Sequence, residues 1–130
     1  MNIDRKFLIA ALSYAVIGLL LGIYMAASHD HAHRVTHAHI LLIGFVLSFV
    51  YGITYKLWTS QPSALLAKLQ FGIHQLGAGV LLIGLFLLYG NHIPESTLGP
   101  IMGIASVCVL IGMVLMMVIV LKKSGQPVTA

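Results

Sequence analysis

Charge is scarce in this chain: only 8% of its 130 residues are Asp, Glu, Lys or Arg, and the acids number three, Asp4, Asp30 and Glu95. Soluble globular domains carry about a quarter charged residues, so that class is excluded. A single cysteine, Cys108, rules out an intrachain disulfide framework and a thiolate metal cluster, and leaves packing as its role. No acid falls inside an apolar stretch, so no carboxylate is placed to carry protons through a membrane core. The net charge of +4 calls for no nucleic-acid partner, because the placement of its basic residues follows the logic of membrane topology.

What the chain has instead is apolar length. Hydrophobic residues make up 59% of it, and its mean hydropathy is +1.01. Four apolar stretches, residues 7–27, 36–57, 65–89 and 98–121, each reach the roughly 20 residues a helix needs to cross a bilayer. Short links join them, so residues 1–130 are expected to form one domain, an all-α four-helix transmembrane bundle in contact with lipid. Arg5 and Lys6 precede the first stretch, Lys56 and Lys68 flank the link between the second and third, and Lys122 and Lys123 follow the fourth; only Arg34 lies at the other end. The positive-inside rule then places both termini in the cytoplasm and residues 28–35 and 90–97 outside, as in a multi-pass protein of a bacterial-type inner membrane. Small residues at 25–28 imitate a peptidase site. An apolar run of about 20 residues nevertheless exceeds the usual 7–15 of a signal core, so the first stretch reads as a retained span.

The link Trp58-Thr59-Ser60-Gln61-Pro62-Ser63 offers an aromatic interface anchor, a Thr or Ser N-cap, and Pro62 near the first position of the next helix. It makes the second and third spans tight antiparallel neighbours. Residues 125–130 are expected to be mobile. Gly18 and Gly22 form a small-xxx-small pair, and Gly44, Ser48 and Gly52 recur every four residues down the second span. Such a stripe either seats a neighbouring helix or clears room for a flat macrocycle beside His37, two turns above Gly44.

Histidine is abundant: seven in all, five of them between residues 29 and 39. Imidazoles at membrane depth are functional-site candidates by default. Residues two apart on a helix are separated by about 200° of rotation, so His37 and His39 project from nearly opposite faces. If the helix begins before them, each serves a different centre. His29, Asp30, His31 and His33 read as a water-facing loop, either solvated and pH-responsive or ligating copper or zinc. His92 stands alone in the other outward link. His74 lies near the midplane of the third span, where a lone histidine is expected to hydrogen-bond a neighbouring helix. At 1.5 Å per residue, His39 stands about 30 Å above the 58–63 turn and His74 about 20 Å, which argues against one iron shared between them.

The stretch Arg34-Val35-Thr36-His37-Ala38-His39-Ile40-Leu41-Leu42-Ile43-Gly44-Phe45, continuing through Gly52-Ile53-Thr54-Tyr55, resembles the tenth helix of the haem-copper oxidase catalytic subunit. Respiratory nitric oxide reductases and C-family oxidases are the nearest likeness. The stretch Leu66-Ala67-Lys68-Leu69-Gln70-Phe71-Gly72-Ile73-His74-Gln75-Leu76-Gly77 is similar to their eleventh helix, and the first and last spans fall where the ninth and twelfth would be. The resemblance implies that His37 is the proximal ligand of one haem and His39 an axial ligand of another. It supplies no counterpart of the histidines that hold a second metal, nor of the other low-spin haem ligand. In that family twelve helices form three pseudo-equivalent groups of four, so the resemblance favours a closed homotrimer of this four-helix chain.

The expected function is therefore a membrane b-type haem protein with His37 and His39 as iron ligands across protomer interfaces, acting in electron transfer or in redox or gas sensing with a respiratory partner. Arg34 is expected to pair with a haem propionate, and Gly44 and Ser48 to border the macrocycle. Catalytic turnover is not expected. His74, His29, His31 and His33 are secondary metal candidates. Two other readings stay open: a copper- or zinc-handling membrane protein using the outward histidines, and a non-catalytic accessory subunit of a respiratory oxidase.

Overall fold

A computed structural model describes residues 1–59 and 62–124, with side chains to residue 122. It is all-helical: α1 (Ile3–Ser28), α2 (Arg34–Trp58), α3 (Ala64–Tyr89) and α4 (Glu95–Ser124). All four are long and apolar enough to cross a membrane. Helices are what an apolar chain must form in lipid, where every backbone N–H and C=O needs an internal partner. α1, α2 and α4 extend beyond their apolar stretches, because the polar boundary residues continue the same backbone ladder, whereas α3 gains only Ala64.

The ends are marked by local chemistry. α1 stops at His29, whose left-handed φ of 57° breaks the helix. Beyond α3, Asn91 takes the same conformation, and the Pro94 carbonyl accepts from the Thr97 and Leu98 amides to open α4. Pro62 does not take the expected place near the first position of α3; the helix starts at Ala64, with Ser63 as an N-cap that makes no side-chain bond. Ser60, another capping candidate, Gln61 and residues 125–130 lie outside the described residues. Trp58 closes α2 with 62% of its surface exposed, as an interface anchor requires.

The helices pair as hairpins, α1 with α2 and α3 with α4, joined mainly through α2 and α3; the backbones of α1 and α4 do not approach each other. Two apolar clusters fill the interior. Phe7, Tyr51, Tyr55, Ala67, Met116 and Ile119 bring all four helices together near the termini. Ile40, Leu81, Leu82, Leu85 and Ala105 fill the histidine-rich half. Between them lies a buried polar layer containing Ser48, Gln70 and His74. Lipid gains nothing from hiding apolar surface, so helix association rests on close packing and polar contacts. Glycine makes the closest approaches: a Cβ on Gly77 would lie 2.8 Å from Cys108 Cβ, which gives the lone cysteine its place at the α3–α4 crossing.

α2 is not a uniform α-helix. Its first turn and a half, Arg34–His39, runs into a π-helical segment, Ile40–Val46, before α-geometry resumes at Leu47. π segments are rare and gather at functional sites.

Candidate histidine site

α2 begins at Arg34, before both histidines of the pair, so His37 and His39 sit on one helical turn and project from different faces. Both are half-buried. His37 turns toward α1, where its Nδ1 lies 2.8 Å from the Gly18 carbonyl. The ring rests against Gly22, where a Cβ would meet its Cε1 at 2.8 Å. His39 Nδ1 lies 2.9 Å from the Val35 carbonyl one turn back in its own helix. A carbonyl oxygen only accepts, so in both rings Nδ1 is the donor, and an imidazole carrying a single proton keeps its lone pair on Nε2. This is the tautomer a metal ligand needs, fixed by a bond to the opposite nitrogen.

The small-residue stripe of α2 is filled from within the same chain. Tyr14 occupies the space beside Gly44, where a Cβ would fall 2.5 Å from its ring. Gly52 admits the backbone of Asp4 and Leu8; a Cβ there would lie 3.2 Å from the Asp4 carbonyl oxygen. Ser48 is engaged by α3: Gln75 Nε2 donates to its Oγ at 3.2 Å, and His74 Nε2 lies 3.3 Å away on the same oxygen. The room anticipated here for a macrocycle is thus taken by helix packing.

His74 is fully buried and behaves as the midplane reading anticipated, bonding across to α2. It stands level with Ser48, nine residues and so about 13 Å below His39, far from any ligand position shared with it. Tyr51 packs edge-on against it with ring centroids 5.0 Å apart, and Phe7 of α1 lies 6.3 Å away. Its Nδ1 and the Tyr51 hydroxyl are buried without hydrogen-bond partners. A turn below, the Tyr55 hydroxyl donates to Gln70 Oε1 at 3.2 Å, and Gln70 Nε2 donates to the Gly112 carbonyl at 3.3 Å. The sequence reading missed Tyr14, Tyr51, Gln70 and Gln75 as partners of the histidine-bearing helices.

At the histidine-rich end, His29 and His31 are exposed, and the Asp30 carboxylate accepts from the Ala32 amide in a tight local turn. His33 differs from the water-facing expectation: it is half-buried and stacks on Phe86 of α3 at 4.4 Å with planes 7° apart. His92 stacks more loosely on the same ring, at 6.4 Å. Among the described residues, no three His, Cys, Asp or Glu side chains gather into a group able to hold a metal ion. Arg34 is exposed and lines a groove that Glu95 also borders. Compared with protein-family models, with curated proteins and with solved structures, the chain matches none.

Proposed function

We propose that this chain is a small membrane-embedded b-type haem protein, with iron held by His37 and His39 of different protomers. The observation that carries the reading is the pair of Nδ1–carbonyl bonds, which leave two Nε2 lone pairs on different faces of one helical turn. A bilayer penalises an idle imidazole, and here two are given the ligand tautomer. His37 and His39 of one chain diverge too widely for one iron, so two-histidine ligation requires a second copy. A ring with heterologous contacts repeats such a site at every interface. The likeness of residues 34–55 and 66–77 to the oxidase helices favours three copies.

The two donor nitrogens suit a haem iron, and the macrocycle would lie between protomers, since packing within the chain fills the small-residue stripe. When bound, a bis-histidine b-type haem supplies one-electron transfer and leaves no free coordination position. The chain's own part is to fix ring orientation through Gly18 and Val35 and to keep water from the midplane with the Ile40, Leu81, Leu82 and Leu85 cluster. The distribution of basic residues favours termini in the cytoplasm of a bacterial-type cell, with the histidine pair near the outer face. An electron partner would therefore approach from that side or from within the bilayer.

An absorption spectrum of the purified full chain tests this. A sharp reduced Soret and α band is expected in the wild type and in His74→Ala, and its loss in His37→Ala and in His39→Ala. A colourless wild type, or copper or zinc by metal analysis without the haem bands, would overturn the assignment. So would full haem content in either ligand variant.

A further inference from the structure

At the histidine-rich end a groove of about 710 Å³ opens between the start of α2 and the link from α3 to α4. Arg34, Glu95 and His31 line it together with Val35, Leu88, Tyr89 and Asn91. Both charged side chains are exposed, and among the described residues neither forms an ion pair. Two opposite charges that border one groove without neutralising each other are free to meet a ligand bearing both signs. The groove lies where α2 and α4 begin and α3 ends, which is headgroup depth for helices of spanning length. Val35, Leu88 and Tyr89 give it an apolar wall beside the charged pair.

We propose that this groove binds a phospholipid with a phosphoethanolamine headgroup. Arg34 meets the phosphate, for which a planar guanidinium with paired donors is suited. Glu95 meets the ammonium, which as a primary amine donates hydrogen bonds to the carboxylate. A choline headgroup has no N–H to give. Its usual recognition is a cage of aromatic faces, which Tyr89 and the His31 ring do not amount to. An anionic lipid, or the two propionates of a haem, would set negative charge against Glu95. The assignment therefore moves Arg34 from the propionate to a lipid phosphate, and it stands whether or not the chain binds haem.

Native mass spectrometry of the full chain, released from nanodiscs holding equal parts of phosphatidylethanolamine, phosphatidylcholine and phosphatidylglycerol, reads the preference directly. The expected result is retention of the ethanolamine lipid over the choline lipid by about tenfold or more, of the order a single charge-assisted hydrogen bond provides. Glu95→Gln should bring that ratio to about one, and Arg34→Gln should release both zwitterionic lipids. Both side chains are exposed, so the variants are expected to fold, with unchanged circular dichroism as the check. Soluble phosphoethanolamine in excess should leave the bound lipid in place. Equal retention of the two zwitterionic lipids, a preference for phosphatidylglycerol, displacement by the soluble headgroup, or a ratio unchanged in both variants would overturn the proposal. Haem lost from Arg34→Gln with lipid preference intact would return Arg34 to the propionate.

Discussion

His37 and His39 differ in what holds them. The first is tied across helices to Gly18, the second to its own helix at Val35, so only His37 reports how α1 sits against α2. Glycine enforces that seating, and not every glycine matters equally. Gly44→Ala drives a methyl into the Tyr14 ring and is expected to cost about 1–3 kcal/mol, as overpacking does. Gly103→Ala, whose Cβ meets nothing within 4 Å, should be neutral or slightly stabilising. Chemical unfolding in mild detergent compares the two, and equal losses would show that the Tyr14–Gly44 contact does not set the packing. The divergence of the two histidines was legible from their spacing alone. Their carbonyl partners were not, because any backbone oxygen can accept and the sequence does not say which one a neighbouring helix brings near.

The π segment is the feature of α2 with the clearest origin. Thr36, Ile40, Gly44, Ser48 and Gly52 are buried at intervals of four along this helix, and Tyr51 and Tyr55 join them in its last turns. In a regular α-helix such a stripe drifts by about 40° each step and leaves the core within a few turns. Wider turns over Ile40–Val46 absorb the drift and keep the stripe facing inward. The repeat was visible as Gly44, Ser48 and Gly52, and its exact period already carried the information. What the residues alone did not give was the occupant, because glycine admits a tyrosine ring and a porphyrin equally well. Deleting Leu42, an exposed residue of this segment, removes the surplus residue, so the helix is expected to run as regular α with residues 34–41 facing nearly as before, because the lost residue and the tighter turns offset each other. Circular dichroism and the absorption bands of the proposed haem should then both survive the deletion. Loss of those bands with the helical signal retained would mean that the π geometry itself orients the histidines.

At the level of the whole molecule, four spans were plain from apolar length, because the bilayer imposes that length directly. The choice of inward faces was hidden: both sides of each helix are apolar, so hydrophobicity does not distinguish a neighbour from lipid. Phe7 and Leu8 adjoin in sequence, yet one is fully buried and the other 39% exposed. Topology is testable with single cysteines in a Cys108→Ser background. His29→Cys and Asn91→Cys should react with an impermeant maleimide from outside intact cells, whereas Lys56→Cys should react only after lysis; the reverse pattern would refute the orientation. Phe7 also bears on how the bundle assembles. This ring, a few residues from the amino terminus, touches Tyr51 and Tyr55 of α2 and Phe71 of α3, in a cluster that Met116 and Ile119 of α4 complete. Because this cluster joins the first of the four spans to the fourth, it closes only once α4 has docked on the other three, so one aromatic ring ties together helices that are far apart in the sequence.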